Sequence, residues 1–234
     1  MLPLLALAAL VGAPQATEST EPQQEDPTVQ LRLVEAGSNE LALVFDIEDG
    51  WHIYWHNPGD SGMATSARLQ PGDSTPRFPG PERFISQESG FVTYGYTGRT
   101  ALFFDAAKQQ GSASPTAEAR WLVCRERCIL QEGSAALSSE VLSDLDSLRR
   151  QLPIRVTPLI SYREQTAVVE LPGGPFDLFP PVALEDRLKQ FRPTSTGLEL
   201  QLKPGPPTTL PVVLKTTDGT FLTFNLPPLT PPKE

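Results

Sequence analysis

Glu40-Leu41-Ala42-Leu43-Val44-Phe45-Asp46-Ile47 is the stretch that decides the fold. Leu41, Leu43, Phe45 and Ile47 occupy every second position. Successive side chains of an extended chain point to opposite faces, so these four line one face of a half-buried strand. Upstream, Val29, Leu31 and Leu33 repeat the alternation. Downstream, residues 51–56 continue as an aromatic-rich strand and stop at Asn57-Pro58-Gly59-Asp60-Ser61-Gly62, a run dense in turn formers. Residues 91–96, aromatic around Gly90 and Gly95, and residues 100–104, 119–124 and 135–141 add further strands, with an irregular stretch at 71–81. Residues 139–151 carry a different period: Val141, Leu145, Leu148 and Leu152 recur at helical spacing. This predicts one short amphipathic helix capped by Ser138 or Ser139.

Composition agrees with an all-β reading. The 234 residues include 25 Pro and 17 Gly, too many helix breakers for a helical fold. Fifteen of those prolines lie from Pro153 onward, where Cys, His and Trp are absent. This shift marks a second, smaller β domain over 153–234, after a first over 28–152. Residues 168–171, 197–203, 210–215 and 220–226 are its strands, with Thr217-Asp218-Gly219 as a hairpin turn. A net charge of −9 without a basic run excludes a nucleic-acid binder, which needs clustered Lys and Arg to displace counterions.

The first residues predict export. Leu2 to Val11 is an apolar run of signal-peptide length, too short to span a bilayer, followed by small residues that place cleavage after Ala16. No Lys or Arg precedes Arg32, so the positive charge of such a signal rests on the α-amino group, and a buried N-terminal strand is the competing reading. Residues 17–27, almost devoid of apolar side chains, form a disordered leader. The mature protein is expected to be soluble in the periplasm.

An oxidising compartment gives the two cysteines their meaning. In Trp121-Leu122-Val123-Cys124-Arg125-Glu126-Arg127-Cys128 an apolar strand delivers Cys124 to a charged connection, and Cys128 follows four residues later. A thiolate is the attacking species in disulfide exchange, and Arg125 and Arg127 supply charge that favours it. As a staple the pair is poor: closing a ring of about five residues is worth only about 2 kcal/mol, against more than about 4 kcal/mol for a ring spanning most of a domain. A redox pair, a structural disulfide and a metal-ligand pair remain the readings open to it.

Two rival sites are weaker. His52 and His56 with the cysteines make four ligands in number, but two imidazoles four residues apart on an extended strand stand roughly 13 Å apart. The simpler expectation is that Trp51, Ile53 and Trp55 face the core while His52, Tyr54 and His56 face outward; no metal or other cofactor is predicted. Gly59-Asp60-Ser61-Gly62 matches the nucleophile motif of trypsin-like proteases, yet no histidine or aspartate constellation stands upstream, and a turn is expected.

Several segments resemble, in order, the periplasmic N-terminal region of the DsbD/ScsB family of thiol:disulfide interchange proteins, and its ScsB-type members above all. They are residues 50–62 as a block, Tyr94-Gly95-Tyr96 with the strand after it, and Trp121-Leu122-Val123-Cys124 with Cys128. Phe176-Asp177-Leu178-Phe179-Pro180 is similar to the phenylalanine–proline element of the family's second domain. The resemblance implies an immunoglobulin-like β-sandwich carrying Cys124 and Cys128 as the active pair, then a second β domain. It also implies electrons arriving from a thioredoxin-like protein, itself reduced through a membrane electron transporter, and passing to oxidised periplasmic client proteins. DsbD spaces its pair more widely and shields it with an aromatic residue where Thr93 stands here; Phe91, Tyr94 or Tyr96 is expected to replace that shield. Full-length members continue into membrane and thioredoxin-like domains, so the expected electron donor is a separate chain. The alternative is a non-catalytic β adaptor with a structural disulfide, linked to copper tolerance or cytochrome c maturation.

Overall fold

A computed structural model describes residues 29–72, 74–106 and 114–228. The expected signal at 1–16 and leader at 17–27 lie outside the described residues. The first half holds nine strands among the described residues: β1 (Val29–Gly37), β2 (Glu40–Ile47), β3 (His52–Gly59), β4 (Ser66–Gln70), β5 (Glu82–Ile85), β6 (Val92–Thr97), β7 (Arg99–Asp105), β8 (Thr116–Cys124) and β9 (Cys128–Ser138). They follow the order β5-β6-β3-β8-β9-β1-β2-β7, with β4 on β8. This path folds into two layers because β9 serves both. Its residues from Cys128 to Ala136 pair antiparallel with β8, while Leu137 and Ser138 pair in parallel with Leu33 and Val34 of β1.

The alternating residues meet between those layers. Leu33, Leu41, Leu43, Phe45 and Ile47 of β1 and β2 pack against Trp51 just before β3, Ile53 and Trp55 of β3, and Trp121 and Val123 of β8, all buried. Phe45 meets Trp121 edge-on, ring centroids 5.6 Å apart, a favourable aromatic geometry. The result is an immunoglobulin-like sandwich.

Strand β2 is buried on its other face too. Ala42 and Val44 join Val34, Ala36, Ala101, Phe103 and Leu148 in a smaller cluster closed by helix α1 (Leu145–Arg149). The predicted helix over 139–151 is therefore shorter than its periodicity suggested. Ser138 ends β9, so the chain leaves the sheet extended, and Asp144 is the N-cap instead. Val141 is 92% exposed, and Leu142 takes the apolar place assigned to it. Arg149 fixes the helix through Nε and Nη2, which donate to Glu40 at 2.9 and 2.6 Å.

The second half is smaller and again all but entirely β. It contains β10 (Ile154–Arg155), β11 (Leu159–Arg163), β12 (Thr166–Glu170), β13 (Asp177–Phe179), the short helix α2 (Val182–Glu185), β14 (Leu188–Thr194), β15 (Gly197–Leu202), β16 (Leu210–Lys215) and β17 (Phe221–Leu226). Two four-stranded sheets, β10-β17-β16-β13 and β11-β12-β15-β14, enclose a Leu- and Val-rich core. Gly219 turns the β16–β17 hairpin at φ +88°, in the backbone region that favours glycine. We propose that the two sandwiches are two domains dividing near residue 152.

Strand β13 joins them. Leu178 enters the second core, while its neighbour Phe179 enters the first. Phe179 lies between Tyr94 (5.6 Å) and Phe221 (5.5 Å), under the Arg83 guanidinium (4.7 Å). Arg83 Nη2 donates to Leu178 O at 2.8 Å, and Asn57 Nδ2, in a residue only 2% exposed, donates to Pro180 O and Glu185 Oε2 at 2.6 Å each. Gly80 is required here, because a Cβ would lie 2.1 Å from the Phe221 ring. Phe179→Ala is expected to cost about 3–5 kcal/mol, the usual toll of emptying a buried aromatic site. The check is the urea unfolding midpoint at unchanged denaturant slope.

Candidate functional site

Strand β8 sends Trp121 and Val123 into the core, so Leu122 and Cys124 face the other way. Its ladder with β9 runs unbroken from Thr116 opposite Ala136 to Cys124 opposite Cys128. Residues 125–127 close the hairpin, with the Arg125 amide donating to Arg127 O at 3.0 Å. The cysteines thus meet as directly opposed residues, Cα atoms 4.2 Å apart, and form a disulfide. They differ in exposure. Cys124 is 2% exposed, whereas Cys128 is open to solvent.

The expected charge is present at the same tip. Arg125, Glu126 and Arg127 are all exposed and with Trp51 line a shallow pocket of about 120 Å³. The Arg125 guanidinium lies 5.8 Å from the buried Trp51 ring, a cation–π distance. Two residues beyond Cys128, Leu130 lies on the same face of β9 and is 47% exposed, opposite Leu122 of β8. Across β3, the residue opposite Cys124 is His52.

The three aromatic side chains expected at the disulfide lie elsewhere. His52 opposes both Cys124 and Thr97, so the end of β6 nearest the cysteines is Thr97. Phe91, just before β6, stands six residues away, roughly 20 Å along an extended strand; it is 49% exposed. Tyr96 is buried in the sandwich core, its hydroxyl donating to Pro79 O at 2.9 Å, and burial raises its phenol well above the usual value. Tyr94 is buried against Trp55 and Phe179 at the contact with the second sandwich; burial raises its phenol too, partly opposed by Arg83. Cys124, Cys128, Arg125 and Arg127 are therefore brought together, and Phe91, Tyr94 and Tyr96 are not. Trp51 and His52 are neighbours of the pair that spacing along the chain does not reveal, since a cross-strand pairing joins Cys124 to a residue 72 positions earlier.

The rival motifs resolve into packing. Trp51, Ile53 and Trp55 face the core as expected. The opposite face is more covered than alternation suggests. Tyr54 is 4% exposed, and His56 lies against Trp55 and Phe78, with burial lowering its pKa to about 4. Among the described residues no group of three or more His, Cys, Asp and Glu is placed to hold a metal ion. Asp60 of the protease-like motif makes a turn: its amide donates to Val92 O at 2.9 Å, and its carboxylate accepts from the Val92 amide at 2.8 Å.

The family described as thiol:disulfide interchange protein DsbD, N-terminal, matches residues 19–139, just over half of the chain. The chain belongs to that family. Among solved structures, the N-terminal periplasmic domain of ScsB from Proteus mirabilis is similar over 89% of this chain and 95% of its own, with a TM-score of 0.60 at 20% identity. That likeness spans both sandwiches and is a likeness of fold. The reduced N-terminal domain of DsbD from Neisseria meningitidis aligns with 46% of this chain and 89% of its own, with 17% identity and a TM-score of 0.33. No curated protein sequence matches the chain.

Burial of His56 in this DsbD-family domain has a consequence for stability. Its folded pKa of about 4 lies below the unfolded value of about 6.5. Above pH 6.5 the group is neutral in both states and costs nothing. As pH falls from there toward about 4 the unfolded chain takes up a proton that the folded one refuses, so stability drops by about 3 kcal/mol and then levels off. Burial lowers the His52 pKa as well and acts in the same direction. Urea unfolding at a series of pH values is expected to show this slope, and His56→Phe is expected to remove most of it.

Proposed function

We propose that this protein performs thiol–disulfide exchange in the periplasm, cycling Cys124 and Cys128 between disulfide and dithiol by direct reaction with other proteins and without a cofactor. The observation that carries the reading is the asymmetry of the pair: Cys128 exposed at a charged hairpin tip, Cys124 2% exposed behind it. A donor thiolate reaches Cys128 Sγ and not Cys124. Its attack breaks the Sγ–Sγ bond, forms a mixed disulfide on Cys128 and leaves the electron pair on Cys124 as a thiolate. A second donor thiol then displaces Cys128; the donor ends as a disulfide, and this chain gains two electrons and two protons. Run in reverse with an oxidised client protein, the same steps pass the electrons on.

Arg125 and Arg127 favour the thiolate form of Cys128 at the tip. Leu130, beside it, gives an incoming partner an apolar contact. The donor we propose is a thioredoxin-like protein or membrane electron transporter. The export expected from the first residues accords with the reading, because a disulfide at an exposed tip persists where the surroundings are oxidising. Among the described residues no helix is long and apolar enough to cross a membrane.

Mixed-disulfide trapping tests the assignment. Cys124→Ala is expected to accumulate covalent adducts through Cys128, whereas Cys128→Ala gives at least about ten-fold fewer, since its remaining thiol is buried. If neither variant captures a protein, and a thioredoxin-like dithiol fails to reduce the native disulfide, the exchange reading is wrong.

A further inference from the structure

We infer that His52 is the proton-exchanging partner of Cys124, accepting the thiol proton as Cys124 attacks Cys128 and returning one when the disulfide opens. This deepens the exchange reading above and rests on it.

The placement follows from the sheet. Strands β3 and β8 are paired at only two positions, His52 with Cys124 and Ile53 with Val123. Ile53 and Val123 both enter the core, so His52 and Cys124 both stand on the opposite face. Directly opposed residues of an antiparallel pair have Cβ atoms about 4.5–5.5 Å apart. Cys128 opposes Cys124 from the other side, and one row crosses the sheet: Thr97, His52, Cys124, Cys128. In the disulfide form the half-buried His52 ring rests against Tyr54 at 5.2 Å and Phe84 at 5.0 Å. The proposed transfer requires the imidazole to turn about its χ1 from Phe84 toward Cys124.

The need is specific to Cys124. A thiol buried in apolar surroundings resists ionisation, yet only the thiolate closes the ring. Cys128 is exposed and can lose its proton to water. None of the other polar and charged groups nearby is set directly opposite Cys124 on β3, and the Glu126 carboxylate of the hairpin is exposed to solvent. The Thr97 hydroxyl donates to Glu82 at 3.0 Å, which fixes that carboxylate on β5 at the far side of the row. Tyr54 is a phenol raised by burial, and Arg125 beyond the hairpin only donates. Burial also lowers the pKa of His52, so at neutral pH the imidazole is uncharged and one ring nitrogen is an acceptor.

Reduced Cys128, as thiolate, attacks a client disulfide; one client sulfur bonds to Cys128 and the other leaves as thiolate. Cys124 passes its proton to His52 and attacks Cys128 Sγ. The Sγ–Sγ bond forms, the bond from Cys128 to the client breaks, and the departing client sulfur takes the electron pair and a proton. Two electrons move from the cysteine pair to the client.

The experiment mixes the reduced protein with dithiobis(nitrobenzoate), which releases one coloured thiolate when Cys128 attacks and a second when Cys124 closes the ring. Stopped-flow traces are collected from pH about 5.5 to about 8 for wild type, His52→Ala and His52→Gln, with near-ultraviolet circular dichroism confirming each fold. Both variants are expected to keep the first release within about two-fold and to slow the second about 100-fold near pH 6.5. Their second rate should climb about ten-fold per pH unit, as for a thiol ionising into solvent, while wild type levels off above the imidazole pKa. Added imidazole is expected to restore part of the rate in His52→Ala. A folded variant whose second release matches wild type in rate and pH profile overturns the role of His52 and leaves the exchange reading standing. A wild-type protein that gives the first release without the second overturns the exchange reading itself.

Discussion

The pairing of β8 with β9 is the constraint on which the rest of this structure depends. Nine consecutive residue pairs run without a bulge from Thr116 and Ala136 to Cys124 and Cys128. At one end the ladder sets two sulfurs opposite each other across a three-residue turn. At the other, β9 leaves β8 and joins β1, which ties the two layers of the sandwich together. The element that closes the core is therefore the one that presents the disulfide. Because side chains alternate strictly along β8, the register that buries Trp121 and Val123 also forces Cys124 onto the opposite face. Core packing and site geometry are two readings of one register.

Much of this was legible in the chain itself. The alternation at Leu41, Leu43, Phe45 and Ile47 identified the strand and its inner face, because period two is a local property of an extended backbone. The cysteine spacing pointed to the hairpin tip for the same reason: four residues is the reach of a tight turn. What stayed hidden is non-local. Nothing near Cys124 announces His52 as its cross-strand neighbour, since that pairing depends on which strands lie adjacent in the sheet. The family resemblance points to Phe91, Tyr94 or Tyr96 as the shield of the disulfide, yet burial of the two tyrosine rings in the core and at the contact between sandwiches claims them first. The helix over 139–151 shrank because β9 consumed its expected cap; the competing demand was a backbone ladder, which satisfies donors and acceptors that a helix start leaves open.

The segment resembling the family's phenylalanine–proline element turns out to be a physical joint. Phe179 is wedged between Tyr94 and Phe221, with Arg83 across its face and Asn57 hydrogen-bonded to the following backbone. Arg83 and Phe84 are adjacent on β5 and point in opposite directions, one to the second sandwich and the other to the His52 ring. A single short strand thus touches both the joint and the surroundings of the cysteine pair.

The alternation of β13 has a consequence for how this chain can change over time. Leu178 belongs to one core and Phe179 to the other, so neighbouring letters of the sequence answer to different selective demands. Each can drift to another apolar residue of similar volume with only its own core to satisfy. Loss or gain of one residue within the strand is a different matter, for it would exchange the two assignments at once and leave both cores wrongly filled. The segment is open to substitution and closed to insertion or deletion, and its length is expected to be more constant among descendants than its letters.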